Sequence, residues 1–322
     1  VFSLKRLSWS PAQTAVTRAI LGEPARWQRL ARETAAEVVR RGVDGVNVDF
    51  EPIPAGHRVA FTRFVRFLRA ELDRRGPGYQ LTFDVTGYHS SYDVAGLLAP
   101  GGADAVFLMG YHYAGTWSRV AGSTSPLGGS RYDVRDTVRR LLRHGRPEQI
   151  IVGVPFYGHL WPTARGTIRS RTTGGGFDVT YQRAARIGRR HGSRYDPVEQ
   201  VRWTAFRERA CPTCRSRWYQ LYYDDAASLT AKWTFVKRGG LLGTGVWTIG
   251  FEGGPGALTS AMREIFLGPR WDHHGPIRGV TVPGPRCTLW TRPPHRSKAR
   301  SGRRFGGLPS TAAEVAQRCT AP

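Results

Sequence analysis

Lysine is nearly missing from this chain, and acidic residues are scarce. Of its 48 basic residues only Lys5, Lys232, Lys237 and Lys298 are lysines, and 24 acidic residues leave a net charge of +24 over 322 residues. An arginine-rich surface of that sign concentrates anions, which admits nucleic acid, an acidic wall polymer or an anionic membrane face as partners. No RNA- or DNA-binding motif accompanies the charge, and a coding sequence rich in G and C yields the same excess of Arg, Gly, Ala and Pro. The charge by itself therefore assigns no function. No apolar run approaches the roughly 18 residues that a membrane-spanning helix needs.

Cysteine is sparse too. Cys211 and Cys214 form a CPTC pair, which suits a tight disulfide, half a zinc site or a redox pair. A zinc site needs a second pair nearby, and Cys287 and Cys319 are distant and differently spaced. An even count with one close pair leans towards two disulfides in an exported or wall-associated protein. The chain opens at Val1 with no signal peptide, so that localisation rests on the cysteines alone. Neither a metal nor a cofactor is expected.

The informative stretch is DGVNVDFE, from Asp44 to Glu51. In a strand alternate side chains share a face, so Asn47, Asp49 and Glu51 point one way and Val46, Val48 and Phe50 the other. A parallel strand buried on both faces should be apolar on both, so an amide and two carboxylates in a row call for a reason other than packing. Catalysis supplies one, and a solvated edge strand ending in an acidic turn is the bland alternative. Asp49 and Glu51 lie roughly 6 to 7 Å apart at about 3.3 Å of rise per residue. At that spacing one negative charge disfavours a second and retains a proton on Glu51, and a carboxylic acid protonated near neutral pH is what glycosidic cleavage requires.

Around that stretch strand and helix alternate. Val1 to Leu4 reads as a strand, followed by a turn through Pro11. A helix is expected from Pro24 to Arg41, closed by Gly42, and another from about His57 to Arg75. Strands follow at Gln80 to Val85, Ala105 to Tyr111 and Gln149 to Phe156, with Val134, Val138, Leu141 and Leu142 marking a helix between the last two. The rhythm resumes with a helix from Asp224 to Arg238, a strand from Thr244 to Gly250 and a helix from about Leu258 to Phe266. The pattern indicates a parallel sheet with crossover helices. Between His159 and about Tyr223 no clear helical period is visible, and the segment is too long for a simple loop. It is expected to be an inserted subdomain (159–223) within a unit 1–267. From 268 to 322 the composition turns to Pro, Gly and Arg, which predicts a disordered basic tail with at most a turn of helix from Thr311 to Gln317.

Four segments in order, DGVNVDFE at 44–51, MGYHY at 109–113, GVPFYG at 153–158 and GVWTIGFE at 245–252, together resemble the family-18 glycoside hydrolases. Asn47 and the FE ending are most similar to the branch of spore-cortex N-acetylglucosaminidases and chitobiase-like enzymes. The main chitinase branch usually has Asp where Asn47 stands. The resemblance implies an α/β fold, a (β/α)8 TIM barrel with its site at the C-terminal ends of the strands. It also implies that Val1 to Leu4 is the third strand of that barrel. The chain would then lack the first two, and its six strands would form an open sheet. Glu51 would be the general acid, and the substrate's own N-acetyl oxygen the nucleophile, with net retention. Asp49 would orient the acetamido group, Tyr111 would hydrogen-bond its carbonyl, and Trp247 would be the aromatic floor for the reacting sugar. Asn47, His112, Tyr157 and Met109 complete the implied substrate contacts. His112 stands where the family usually has Asp, which changes the contact expected there.

The leading expectation is a retaining hydrolase of β-linked N-acetylglucosamine polymers, chitin or peptidoglycan. A catalytically silent, lectin-like barrel is the second, although a pure lectin has no need of Glu51 beside Asp49. A polyanion binder led by the basic tail is the third.

Overall fold

A computed structural model describes residues 1–268, except 130, 131, 210, 212 and 255, together with 287–288 and 318–319. The chain divides into two units, Val1–Gly268 and Pro269–Pro322. In the first, β1 (Phe2–Leu7) is followed by α1 (Pro11–Leu21), α2 (Pro24–Arg41), β2 (Gly45–Glu51), α3 (Arg58–Asp73), β3 (Gln80–Thr86), α4 (Val94–Leu98), β4 (Ala105–Met109), α5 (Val134–Leu141) and β5 (Ile150–Pro155). An antiparallel segment comes next: β6 (Tyr157–Thr163), β7 (Phe177–Thr180), α6 (Tyr181–His191), β8 (Arg194–Asp196), β9 (Val201–Glu208) and β10 (Arg217–Tyr223). Then α7 (Ala226–Arg238), β11 (Gly243–Trp247) and α8 (Ala257–Leu267) close the unit.

Six strands pair in parallel in the order β1-β2-β3-β4-β5-β11. They are the six expected from the sequence, and among the described residues β1 and β11 each have one neighbour in this sheet. The alternation of β2 is realised: Val46, Val48 and Phe50 are fully buried. The ring of Phe50 lies 5.7 Å from Phe61 and 5.6 Å from Phe64 of α3, in the helix layer. The polar row Asn47, Asp49 and Glu51 is thereby turned to the other face of the sheet. On that inner face Phe107 of β4 reaches across to β5 and β11. A Cβ at Gly153 would come within 2.5 Å of its ring and one at Gly245 within 2.3 Å, so glycine is what lets the ring lie there.

The inserted segment forms a second sheet in the order β7-β6-β10-β9-β8. Two expectations are corrected in this unit. The insert contains a helix, α6, which the sequence pattern hid because its buried positions are the small residues Ala184 and Gly188 among arginines. Thr180 caps it by accepting from the Arg183 backbone N–H. Likewise α1 begins where a turn was expected to end: Pro11 is at its first turn, and Ser10 and Gln13 form a reciprocal capping box. The strands also stop earlier than expected, β4 at Met109 and β11 at Trp247, because the residues beyond them leave the ladder for the loops of the site.

Cys211 and Cys214 are joined by a disulfide in the β9–β10 connection. In the second unit β12 (Cys287–Thr288) pairs antiparallel with β13 (Arg318–Cys319), which sets Cys287 opposite Cys319 in the ladder. The remainder of the expected disordered tail, with the turn of helix at 311–317, lies outside the described residues.

Asp224, just past β10, and Lys232 of α7 form a completely buried ion pair that ties the insert back to the helix layer. Removing one partner strands a charge, whereas replacing both need not. Asp224→Ala should lower unfolding stability in urea by about 3–5 kcal/mol, and Asp224→Ala with Lys232→Met should restore most of it. A double variant no more stable than Asp224→Ala would assign the loss to packing instead.

Candidate active site

The inner face of β2 and its two neighbours carries the ionisable groups. Lys5 on β1 is in register with Asp49, and Asp84 on β3 stands two residues after Thr82, the register partner of Asn47. Asn47 is held at both ends: its amide nitrogen donates to Asp84 Oδ2 at 3.0 Å, and its oxygen accepts from Thr82 Oγ1 at 2.7 Å. Lys5 Nζ lies 3.2 Å from Asp49 Oδ2 and 3.7 Å from Glu51 Oε1. The backbone at the end of β2 is fixed as well, since the Ser8 N–H donates to the Glu51 carbonyl at 2.7 Å and the Tyr92 hydroxyl to the Phe50 carbonyl at 2.7 Å.

Burial sets the protonation of this group. Desolvation, then the charge of Asp49, raises the Glu51 carboxyl from 4.5 to about 7, against the pull of Lys5. Desolvation, again followed by Asp49, raises Asp84 from 3.8 to about 8, against the hydrogen bond from Asn47. Asp49 is raised by desolvation too, and Lys5 is the group that opposes it. Three acids therefore share one ammonium. With Lys5 nearest to Asp49, Asp49 is the one of the three that the ammonium most favours as an anion, and its charge favours the proton on the other two.

The rest of the wall is aromatic. Met109, Tyr111 and Tyr157 are buried in one cluster with Phe107 at its edge. Tyr111 lies edge-on to Tyr157 at 6.1 Å, and its hydroxyl is pushed up mainly by burial, then by Tyr157, Asp84, Glu51 and Asp49. Its phenol thus belongs to the same electrostatic neighbourhood as the carboxylates. His112 adopts the left-handed region at φ 63, and its N–H donates to Thr124 Oγ1 at 3.0 Å. Its ring lies 5.5 Å from Tyr111, 5.9 Å from the exposed Trp117 and 6.2 Å from His159. Burial lowers His112. It also lowers His159 to about 4, although Asp178 Oδ1 stands 2.9 Å from the His159 Nδ1. Trp247, 46% exposed at the end of β11, presents its ring to Lys5 Nζ at 5.1 Å from the centroid.

The structure thus links Asn47, Asp49 and Glu51 on one face, Trp247 to them through Lys5, and Tyr111 through its coupling to the carboxylates, with His112, Tyr157 and Met109 packed beside Tyr111. The sequence reading missed Lys5, Asp84 and Tyr92. For Asp84 a signal existed: Thr82, Asp84 and Thr86 repeat the period-2 polar row seen in β2. Lys5 had only its rarity.

Chemically, a largely buried acid of near-neutral strength beside a second carboxylate can protonate a leaving oxygen while a cationic centre forms next to that carboxylate.

Comparison with known proteins gives the same direction. Residues 17–252 match the sequence profile of the glycosyl hydrolases family 18. A Bacillus subtilis (strain 168) protein named as a sporulation-specific glycosylase, YdhD, is 28% identical over 260 residues, which cover 76% of this chain and 56% of that protein. The Manduca sexta endochitinase is 26% identical over 298 residues, 78% of this chain and 50% of its own length. The chain spans about half the length of these curated relatives. Among solved structures, that of YdhD superposes with a TM-score of 0.65 at 24% identity, covering 76% of this chain and 79% of that one. The Cycas revoluta chitinase in complex with (GlcNAc)3 superposes at 0.68 and 19% identity, covering 82% and 78%. These likenesses fix the fold as the α/β barrel type of the family's chitinases.

A carboxyl whose folded value is raised contributes stability below its unfolded value and loses it as pH rises through the folded one. For Asp84 that window runs from about 4 to about 8. Asp84→Asn cannot ionise, so its melting temperature relative to the parent should rise between pH 5 and pH 9. A difference that stays flat with pH would show that Asp84 is not held protonated.

Proposed function

This chain belongs to the glycosyl hydrolases of family 18, and from that premise we propose that it hydrolyses β-linked N-acetylglucosamine polymers, chitin or peptidoglycan, with retention and with assistance from the substrate. One observation carries the reading. Glu51 stands at the C-terminal end of β2 with its carboxyl raised to about 7, beside Asp49. The acid is therefore largely protonated at the pH where its neighbour bears a charge.

In this reading Glu51 gives its proton to the glycosidic oxygen as the C1–O bond breaks. The acetamido oxygen of the same sugar attacks C1 and forms an oxazolinium ring, whose positive N–H faces Asp49. Water then adds to C1 from the vacated side and loses a proton to the Glu51 carboxylate, which regenerates the acid and the original configuration. Tyr111 donates to the acetamido oxygen, and the Trp247 ring supports the apolar face of the sugar. The aromatic wall of His112, Trp117 and Tyr157 supplies further contact with the chain of sugars. Asn47 sets the register of this machinery: held by Asp84 and Thr82, it cannot rotate to take a second role. The relatives include a sporulation-specific glycosylase and an endochitinase, so the choice between chitin and peptidoglycan belongs to experiment. Action on either polymer is consistent with a secreted or wall-associated protein.

Glu51→Gln preserves shape but has no proton to give. It should reduce the release of sugars from N-acetylglucosamine oligomers by about 10²- to 10⁴-fold while leaving oligomer binding, followed by tryptophan fluorescence, within a few-fold of the parent. Turnover within a few-fold of the parent would remove Glu51 from the acid's role. A thiazoline analogue of the oxazoline should inhibit competitively, and rapid cleavage of a substrate with a free amine at the reacting sugar would exclude substrate assistance.

A further inference from the structure

Lys5 is placed where packing does not require a cation. It comes from β1, in register with Asp49. Its ammonium touches Asp49 at 3.2 Å and approaches Glu51 at 3.7 Å. The same ammonium stands 5.1 Å from the centroid of Trp247 on β11. The side chain is 42% exposed, so it is free to swing towards water, unlike the enclosed Lys232–Asp224 pair. In a chain whose basic residues are almost all arginine, the residue here is a lysine. A compact ammonium on a flexible stem fits between two carboxylates and a ring face and can leave again, which a planar guanidinium fork does less readily.

Resting on the glycosidase reading above, we propose that Lys5 is a positioning residue of the site, whose ammonium keeps Asp49 as its anion and covers the face of Trp247 until a sugar ring displaces it. The groups that face it bear this out. Asp49 and Glu51 of β2 and Asp84 of β3 each feel the ammonium, while Tyr92 from the loop after β3, Tyr111 after β4 and Tyr157 on β6 are coupled to those carboxylates rather than to Lys5 itself. All are acids in the chemical sense, and among the described residues no other cation forms an ion pair with Asp49 or Glu51. Coulomb attraction falls with distance, so the ammonium favours ionisation of Asp49 over Glu51, and the charge it sustains on Asp49 then holds the proton on Glu51. Lys5 thereby does from β1 what a second carboxylate cannot do from position 47, where the chain has an amide.

The contact with Trp247 gives the device its second half. An ammonium over an indole is attracted to the ring face that a pyranose would stack on. A sugar entering this site takes that face, the ammonium moves to solvent, and Asp49 is left to receive the acetamido N–H. The cation is then away from the place where positive charge develops at C1.

The test uses Lys5→Ala, with Lys5→Arg as the charge-conserving control. Carboxyl-selective NMR titration of the unliganded protein reports Asp49 and Glu51 without any need for turnover. Loss of a nearby cation raises an acid's pKa, so both titrations should move up in Lys5→Ala by roughly one unit and return towards the parent in Lys5→Arg. With N-acetylglucosamine oligomers, both limbs of the pH profile of kcat/KM should shift upward together, and trisaccharide should bind Lys5→Ala about two- to five-fold more tightly because the ring face is uncovered. A titration of Asp49 that does not move overturns the proposal, whether or not the chain cuts sugars. Weaker binding of trisaccharide by Lys5→Ala overturns the displacement of Lys5 from Trp247. If the titrations move as stated but the parent neither binds nor cleaves the oligomers, it is the glycosidase reading that fails.

Discussion

The carboxylates on the inner face of β2 and β3 have been taken out of water with a single ammonium to balance them. Everything else in the site follows from this constraint. Desolvating an acid without a partner drives it to the neutral form, and a neighbouring anion drives it further. Of these three acids Asp49, nearest the one ammonium, is the one favoured as the anion, and its charge favours protons on Glu51 and Asp84. That is the state in which Glu51 can serve as an acid and Asp49 as an anion at the same pH. The sheet makes it possible by register: Lys5 pairs with Asp49, and Asn47, two residues earlier on the same face, pairs with Thr82, so the side chains from three strands meet on successive rungs of the inner face.

How much of this could be read from sequence differs between the two layers. The outward row of β2 and the helical face of α3 gave themselves away by period, because both are long apolar patterns with one buried side. The six parallel strands and most of their helices were therefore legible. The helices α1 and α6 were not, since each buries only two positions, Thr17 and Leu21 in α1 and the small Ala184 and Gly188 in α6, and only their capping residues mark them. The partners of the acidic stretch were harder still. Lys5 and Asp84 act through cross-strand register over gaps of more than forty and more than thirty residues, and the chain itself carries no mark of which strands will be neighbours. The polar row of β3 was visible as a pattern, yet without the fold it had no meaning.

The inserted sheet contributes to the site by holding the loop after β4. His159 of β6 and the N–H of His112 both meet Thr124 Oγ1, and the Trp161 indole N–H donates to the Gly115 carbonyl at 3.1 Å. These bonds fix a segment that leaves the ladder at Met109 and turns through a left-handed residue at His112. A non-glycine residue held at positive φ stays there only if its surroundings over-determine it, and the stack of His112 between Tyr111, Tyr157 and His159 does so. The insert is thus a brace for the aromatic wall, tied in turn to the barrel helices by Asp224 and Lys232.

The distribution of charge separates the two kinds of partner that the composition left open. The protein carries +24 overall, but the inner face of β2 and β3 gathers three acids around one lysine, beside aromatic rings. A polyanion would find its complement on the arginine-rich outer surface, and such binding would weaken with salt as counterions compete. An uncharged amino sugar would find its complement on that inner face, through ring stacking and directed hydrogen bonds that salt scarcely screens. The excess of arginine and the chemistry of β2 are for that reason independent features. A polymer that bears both anionic groups and N-acetylated sugars would meet the two features separately, the first through charge and the second through shape and hydrogen bonding.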